Sequence, residues 1–225
     1  KESKLVISAS SLCYSGAIST RPIQSLSFDN IGRGQHKLDH QQKAIERFLR
    51  SVGEEHQSKL LEAFSIKRLP SGGYVTNQGE PDESEYILLG GRARSLVTDA
   101  EGNEASLNLY AAPIVVTPNM ARTSDGCSLV DIEILEDAVL AVIPAAQLMD
   151  LMVRFESIRE WGNTLMREEL SRKVRREWCL AALSAPQRLE WFRENHPGYE
   201  DLFAHFHIAS YLGMTPVTLS RARNR

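Results

Sequence analysis

The residues best suited to a specific chemistry lie in the last stretch of the sequence, IASYLGMTPVTLSRARNR. Ala209 precedes Gly213 by four residues, and Leu219 follows that glycine by six. A helix-turn-helix needs a small residue where its helices cross, a residue tolerant of positive φ in the turn, and an inward apolar anchor. The spacing therefore predicts a helix-turn-helix core, and the expected chemistry is hydrogen bonding to base edges and phosphates.

The second helix of this motif begins with a capping signal. Thr215 supplies an N-cap hydroxyl, and Pro216 occupies the first helical position, where a missing N–H costs nothing. Arg221 is the candidate for a bidentate contact to guanine. An αα-hairpin with a basic end remains the alternative interpretation. The predicted DNA contacts are Thr215, Pro216, Val217, Thr218, Ser220, Arg221 and Arg223.

Composition argues against several other classes of protein. The 225 residues carry a net charge of -3, so any positive surface for nucleic acid must be local. Three widely separated cysteines, Cys13, Cys127 and Cys179, provide too few ligands for a disulfide framework, a zinc site or a four-thiolate cluster. We expect no metal and a cytoplasmic location. An enzyme is disfavoured because no acid-base pair, nucleophile constellation or phosphate loop occurs in a credible context.

The first two thirds of the chain change character twice. Residues 1–38 show little periodicity and are interpreted as an irregular extension, whereas 39–64 show helical periodicity. From Ile66, short runs of β-forming residues alternate with turn residues, which is typical of a jelly roll or barrel. Asp99–Asn103 is predicted to be a hairpin turn in which Gly102 supplies a positive φ.

After Pro144 the pattern becomes helical. An apolar stripe at spacings of three and four predicts one long helix, and its width favours dimerisation over burial within the chain. A basic run, RKVRR at 172–176, is flanked by glutamates and is interpreted as a solvated face or a phosphate contact. Ser184 and Gln187 form a capping-box pattern that starts the next helix. The stripe comprises Leu148, Leu151, Met152, Phe155, Ile158, Trp161 and Leu165.

Over residues 39–225 the chain resembles the cyclic-AMP receptor protein and FNR superfamily of bacterial transcription regulators. GGYVTNQGEPDESEYILLGGRARSLVTDAEGNEASLNLY is similar to the first strands of the family's jelly roll, with glycines at 73, 79, 91 and 102. LEDAVLAVIPAAQLMDLM is similar to the last strand and the start of the dimerisation helix, and HIASYLGMTPVTLSRARNR to the terminal helix-turn-helix. The resemblance implies a homodimer that binds double-stranded DNA, with RNA polymerase as a further candidate partner.

The sequence departs from this family where a cyclic nucleotide would bind. Nucleotide-binding members carry a Gly-Glu pair and then an Arg-Ser or Arg-Thr pair, but this chain has no Gly-Glu pair in APIVVTPNMARTSDGCSLVDIEIL. Arg122 and Thr123 come early, and Cys127 and Ser128 stand where the arginine pair is expected. A buried cyclic phosphate without a guanidinium would be unpaired. The candidate effector pocket comprises Arg122, Thr123, Cys127 and Ser128, and no cofactor is expected.

Together these observations predict an α+β fold with four parts. They are an extension over 1–38, a cyclic-nucleotide-binding-like jelly roll over 39–146, a dimerisation helix over 147–178 and a helix-turn-helix domain over 179–225. The predicted function is a homodimeric, sequence-specific DNA-binding transcription regulator whose sensor does not hold cyclic AMP in the usual way. The alternative is a ligand-sensing or scaffold protein that retains the fold without binding DNA.

Overall fold

The computed structural model describes residue 43 and residues 45–224. The extension predicted for residues 1–38 lies outside the described residues. Residues 45–48 are helical, and helix α1 (Glu54–Ala63) follows. The strands are β1 (Ser65–Leu69), β2 (Tyr74–Thr76), β3 (Ser84–Thr98), β4 (Glu104–Ala111), β5 (Ile114–Val115), β6 (Thr123–Ser124), β7 (Cys127–Ser128) and β8 (Asp131–Pro144), with the short helix α2 (Asn119–Arg122) before β6.

The strands form one antiparallel sheet and one small hairpin. The sheet has the order β1-β8-β3-β4, with β2 paired to β8 and β5 paired to β3, while β6 pairs with β7. Gly91 allows the 15-residue strand β3 to bend, because its φ of 86° and its approach to the Glu136 carbonyl leave no room for a Cβ. The predicted turn is present, with Gly102 at φ 85° and Asp99 Oδ1 accepting a hydrogen bond from the Asn103 amide at 2.8 Å.

The helical half contains α3 (Ala145–Arg154), α4 (Glu156–Ala182), α5 (Ala185–Asn195), α6 (Tyr199–Leu202), α7 (His205–Tyr211) and α8 (Pro216–Arg223). The prediction of one continuous helix across 148–165 is wrong. Phe155 has an extended backbone, φ -125° and ψ 115°, and separates α3 from α4. The apolar spacing continues through this break because both helices cover the same core. The capping box of Ser184 and Gln187 is present at the start of α5.

Three apolar clusters organise the described residues. The first fills the interior of the jelly roll and includes Tyr110, Ile132 and Leu140. The second packs the helical residues before the sheet, and then α3 and the start of α4, against the opposite side of β3 and β8. The third is the core of the helix-turn-helix domain, and it includes Leu109 from β4. The predicted α+β architecture is therefore confirmed, and the two domains share a packed junction.

Candidate nucleic-acid interface and sensor interior

Helices α7 and α8 form a compact helix-turn-helix. Ala209 is 0% exposed and Leu219 is 1% exposed, so a small residue and an apolar anchor occupy the inner side of the motif. Gly213 has a φ of 60°, the left-handed conformation expected at the turn. The Met214 amide donates to the Ala209 carbonyl at 3.0 Å and closes the end of α7. This packing fixes how α8 is presented to solvent.

Helix α8 is capped at its N-terminus, and its outer face is exposed. Thr215 Oγ1 accepts a hydrogen bond from the Thr218 amide at 3.1 Å, and Pro216 begins the helix. Val217 is 61% exposed, and Ser220 and Arg221 are also exposed. Arg221 makes no hydrogen bond or ion pair with any other described residue. Its guanidinium is therefore available for a ligand outside the chain.

Arg223, the other arginine predicted to contact DNA, is engaged within the protein. Its Nε lies 2.8 Å from a carboxylate oxygen of Glu200, and its Nη1 lies 3.2 Å from Nδ1 of His205. A hydrogen bond from Arg193, assisted by the charge of Arg223, lowers the pKa of Glu200. The structure therefore gives Arg223 a role in tethering the end of α8 to α6.

Arg188 braces the turn, a role that the sequence did not indicate. From α5 its guanidinium donates to the Leu180 carbonyl at 2.7 Å and to the Leu183 carbonyl at 2.9 Å, at the end of α4. It also donates to the carbonyls of Leu212 at 3.1 Å and Gly213 at 3.2 Å, in the helix-turn-helix turn. One partly buried side chain thus links the long helix to the motif, and only the three-dimensional arrangement identifies it.

In the sensor interior, Arg122 is already paired. It is 2% exposed, and its Nε and Nη2 donate to the two carboxylate oxygens of Asp82 at 2.8 and 3.0 Å. Its other donors reach the carbonyls of Thr117, at 2.6 Å, and Ser84. The guanidinium also lies 4.8 Å from the centre of the Tyr86 ring. A guanidinium with its donors engaged in this way is not available to a ligand phosphate.

The remaining residues of the predicted effector pocket lie on a small hairpin, whose Ser128 amide donates to the Glu80 carbonyl at 2.8 Å. Thr123 pairs with Ser128 across β6 and β7, and its hydroxyl donates to the Asn119 carbonyl at 2.9 Å. The Ser128 hydroxyl donates to the Val130 carbonyl at 2.7 Å, while Cys127 is partly exposed. These polar groups bond to the chain itself, and neither residue 127 nor residue 128 offers a positive charge.

A buried polar network joins the sensor interior to α4. The Thr117 hydroxyl donates to a carboxylate oxygen of Glu169 at 2.7 Å and lies 2.8 Å from the Tyr110 hydroxyl. Glu169 is 1% exposed and is balanced by Arg172 at 2.6 Å and by Lys173 at 3.4 Å. Helix α4 therefore contributes a buried carboxylate that is hydrogen-bonded to Thr117 and paired with two cations of its own helix.

A cavity of about 690 Å³ opens where the sensor, α4 and the helix-turn-helix domain meet. Its lining includes Arg172, Lys173 and Arg176 from α4, with Tyr199 and Tyr211 from the C-terminal domain. It includes none of the four residues predicted for the effector pocket. Burial, with the nearby charge of Arg172, lowers the pKa of His196 at this junction to about 4, so the imidazole is neutral.

The apolar stripe predicted for dimerisation is partly covered within the chain. Ile158 and Trp161 are 0% and 5% exposed, and the Trp161 ring N–H donates to the Phe48 carbonyl at 2.8 Å. The other five residues of the stripe are partly buried and pack against the same second cluster. The assignment of the stripe to a dimer interface stays a prediction. The residues concerned are Leu148, Leu151, Met152, Phe155, Ile158, Trp161 and Leu165.

A second apolar stripe lies on the outward face of α4. Leu170, Val174 and Trp178 are spaced by four residues and are 55%, 63% and 54% exposed. Because residues four apart share a helix face, these side chains form one continuous surface.

No described helix is long and apolar enough to span a membrane.

Known proteins share part of this sequence and its fold. Residues 66–155 match the family model for the cyclic nucleotide-binding domain. No curated protein sequence matches the chain. A putative cAMP-binding regulatory protein from Silicibacter pomeroyi DSS-3 is 22% identical, with a TM-score of 0.58 over 83% of this chain and 87% of that one.

Two further solved structures are similar over most of this chain. FixK2 from Bradyrhizobium japonicum is 17% identical, with a TM-score of 0.61 over 72% of this chain and 83% of that one. A putative regulator of the Crp/Fnr family from Eubacterium rectale ATCC 33656 is also 17% identical, with a TM-score of 0.61 over 79% and 84%. Residues 66–155 are thus similar to the cyclic nucleotide-binding domain, and the chain shares the fold of these solved structures.

Proposed function

We propose that this protein is a sequence-specific, DNA-binding transcription regulator that acts as a homodimer. The observation that carries the proposal is the exposed and capped start of α8 on a buried helix-turn-helix core. A helix presented in this way fits the major groove of DNA. RNA polymerase would be a further partner of such a regulator.

Arg221 is the proposed base-reading residue. It is exposed and makes no hydrogen bond or ion pair within the described part of the chain, so its five donors can meet a guanine. Val217, 61% exposed on the same helix, offers an apolar surface to a thymine methyl group. We assign Arg223 to the support of α8, because Glu200 already binds it.

Dimerisation is proposed to use the outward stripe of α4, namely Leu170, Val174 and Trp178. These large side chains are more than half exposed in the single chain, and a second copy of α4 would cover them at the centre of a coiled-coil interface. This places two recognition helices in one particle. A dimer of this kind reads a site with two-fold symmetry.

The sensor is proposed not to hold cyclic AMP in the usual way. Asp82 already neutralises Arg122, and both side chains are buried. A cyclic phosphate entering there would have to displace a buried carboxylate from its guanidinium. Isothermal titration with cyclic AMP should therefore give no heat of binding, and a stoichiometric binding isotherm would contradict this part of the proposal.

An electrophoretic shift assay on the protein's own promoter region tests DNA binding. Arg221→Ala should reduce specific binding about 5- to 150-fold, since a bidentate guanine contact contributes about 1–3 kcal/mol. Arg154→Ala on α3 removes the same charge from an exposed site outside the helix-turn-helix domain and should change little. Affinity should also fall steeply as salt rises. If the wild type, Arg221→Ala and Arg154→Ala shifted the DNA equally, and salt did not weaken the shift, the result would favour a scaffold function without specific DNA binding.

Sedimentation equilibrium tests the dimer. Trp178→Glu should shift the protein toward monomer, because a charge would be buried in the outward stripe of α4. Val153→Glu is the matched control, since Val153 is 72% exposed on α3 and lies outside that stripe. A dimer that tolerates Trp178→Glu as well as Val153→Glu would show that copies associate through another surface.

A further inference from the structure

Strand β4 is an edge strand whose outer backbone groups are bonded by the helix-turn-helix domain. The sheet order leaves β4 with β3 on one side only. On the other side, the Ser106 amide donates to Ser210 Oγ at 2.9 Å, and that hydroxyl lies 3.4 Å from the Glu104 carbonyl. Ser210 belongs to α7, the first helix of the motif. The sensor edge and the DNA-reading domain therefore share hydrogen bonds.

Arg176 of α4 completes this junction. Its Nη2 donates to the Ser106 carbonyl at 3.1 Å and to the Tyr211 carbonyl at 2.8 Å. Its Nε donates to the same Tyr211 carbonyl at 3.2 Å, and the guanidinium lies 4.7 Å from the centre of the Tyr211 ring. One side chain thus joins three elements: the long helix, the sensor edge and the end of α7.

The environment of Arg176 explains why it favours a single arrangement. Burial lowers the pKa of Arg176, and none of its described contacts is with a carboxylate. A partly buried cation without a counter-ion depends on the carbonyl oxygens around it, here including one at the C-terminal end of α7, where the helix dipole is negative. If α7 moved away from β4, both the cation and the strand edge would lose partners.

We infer that Arg176 is a positioning residue, which holds the helix-turn-helix against β4 and so sets the separation of the two recognition helices in the dimer. The inference rests on the proposed function. It also assigns part of the basic run RKVRR: Arg176 faces the interior, whereas its neighbour Arg175 is exposed and makes no hydrogen bond or ion pair within the described residues. The two arginines on one helix can therefore be compared directly.

Hydrogen exchange of the β4 peptide tests the docking without DNA. In Arg176→Ala the amide of Ser106 should exchange about tenfold faster than in the wild type, because the junction opens more often. Arg175→Ala removes the same charge and should leave exchange unchanged. Ser210→Ala, which deletes the direct acceptor of that amide, should also accelerate exchange. Unchanged protection of Ser106 in Arg176→Ala would overturn the inference, and faster exchange in Ser210→Ala would show that this amide reports on the junction.

DNA with altered half-site spacing tests the positioning role. The wild type should prefer one spacing at least tenfold over spacings one base pair shorter or longer, and Arg176→Ala should lose most of that preference. Arg176→Lys, with fewer donors but the same charge, should lose it in part. A retained spacing preference in Arg176→Ala would refute the role in positioning. If no protein bound DNA, the proposed function would fail, while the exchange result would still decide whether Arg176 docks the domains.

Discussion

Asp82→Asn is the perturbation that best tests how the sensor interior is held together. The substitution keeps the shape of the side chain but removes the charge that neutralises Arg122. Asp82 is 3% exposed and Arg122 is 2% exposed, so water cannot replace the lost carboxylate without opening the core. Two hydrogen bonds, at 2.8 and 3.0 Å, join the pair. The variant would leave a buried guanidinium without its principal counter-ion.

The expected loss can be estimated from these contacts. Removing one partner of a buried ion pair lowers the free energy of unfolding by about 3–5 kcal/mol. The carboxylate of Glu85 remains 3.7 Å from Nη1 of Arg122, and two carbonyl oxygens still accept from the guanidinium, which favours the lower end of this range. A loss of about 3 kcal/mol corresponds to a fall in melting temperature of about 6–12 °C for a chain of this size.

Urea denaturation followed by circular dichroism measures the change. Asp150→Asn is the matched control, because the pair of Asp150 and Arg154 is exposed and contributes at most about 0.5 kcal/mol. The double variant Asp82→Leu with Arg122→Met should recover much of the loss, since it removes both charges at once. If Asp82→Asn cost no more than Asp150→Asn, Arg122 would not depend on Asp82 and would remain available to a ligand.

Three smaller experiments probe other parts of the molecule. In urea denaturation, Gly91→Ala should lower the free energy of unfolding far more than Gly102→Ala. Both glycines have φ near 85°, but only at Gly91 would a Cβ collide with the Asp137 carbonyl. Equal losses of unfolding free energy would disprove the close approach. Burial lowers the pKa of His196 to about 4 in the folded protein. Between pH 6.5 and 4 the unfolded chain therefore binds more protons than the folded one, and the free energy of unfolding falls as the pH drops. His196→Gln should flatten that stability profile, and an unchanged slope would point to another group. Thr215→Ala removes the cap of α8 and should cost about 1 kcal/mol of unfolding free energy, whereas Thr215→Ser should cost much less.

Local rules predicted the helix-turn-helix well. Ala209, Gly213 and Leu219 have the burial and backbone conformation that their spacing implies, and Thr215 caps α8. The turn at Gly102 and the capping box at the start of α5 followed from local signals in the same way. Each of these features depends on residues within a few positions of one another, so sequence alone carries the information.

The sequence by itself thus determined the order of the elements, the α+β fold class and the local geometry of the candidate DNA-reading helix. Only the tertiary structure determined which residues the charged and apolar side chains contact. Asp82 lies 40 positions from Arg122, and Ser106 lies 70 positions from Arg176. Helical periodicity shows that the residues from Leu148 to Leu165 share a side, but not that Ile158 and Trp161 among them are buried within the chain. Which residues a side chain contacts depends on how the chain packs, because distant segments meet only when the jelly roll and the helices have folded around common cores.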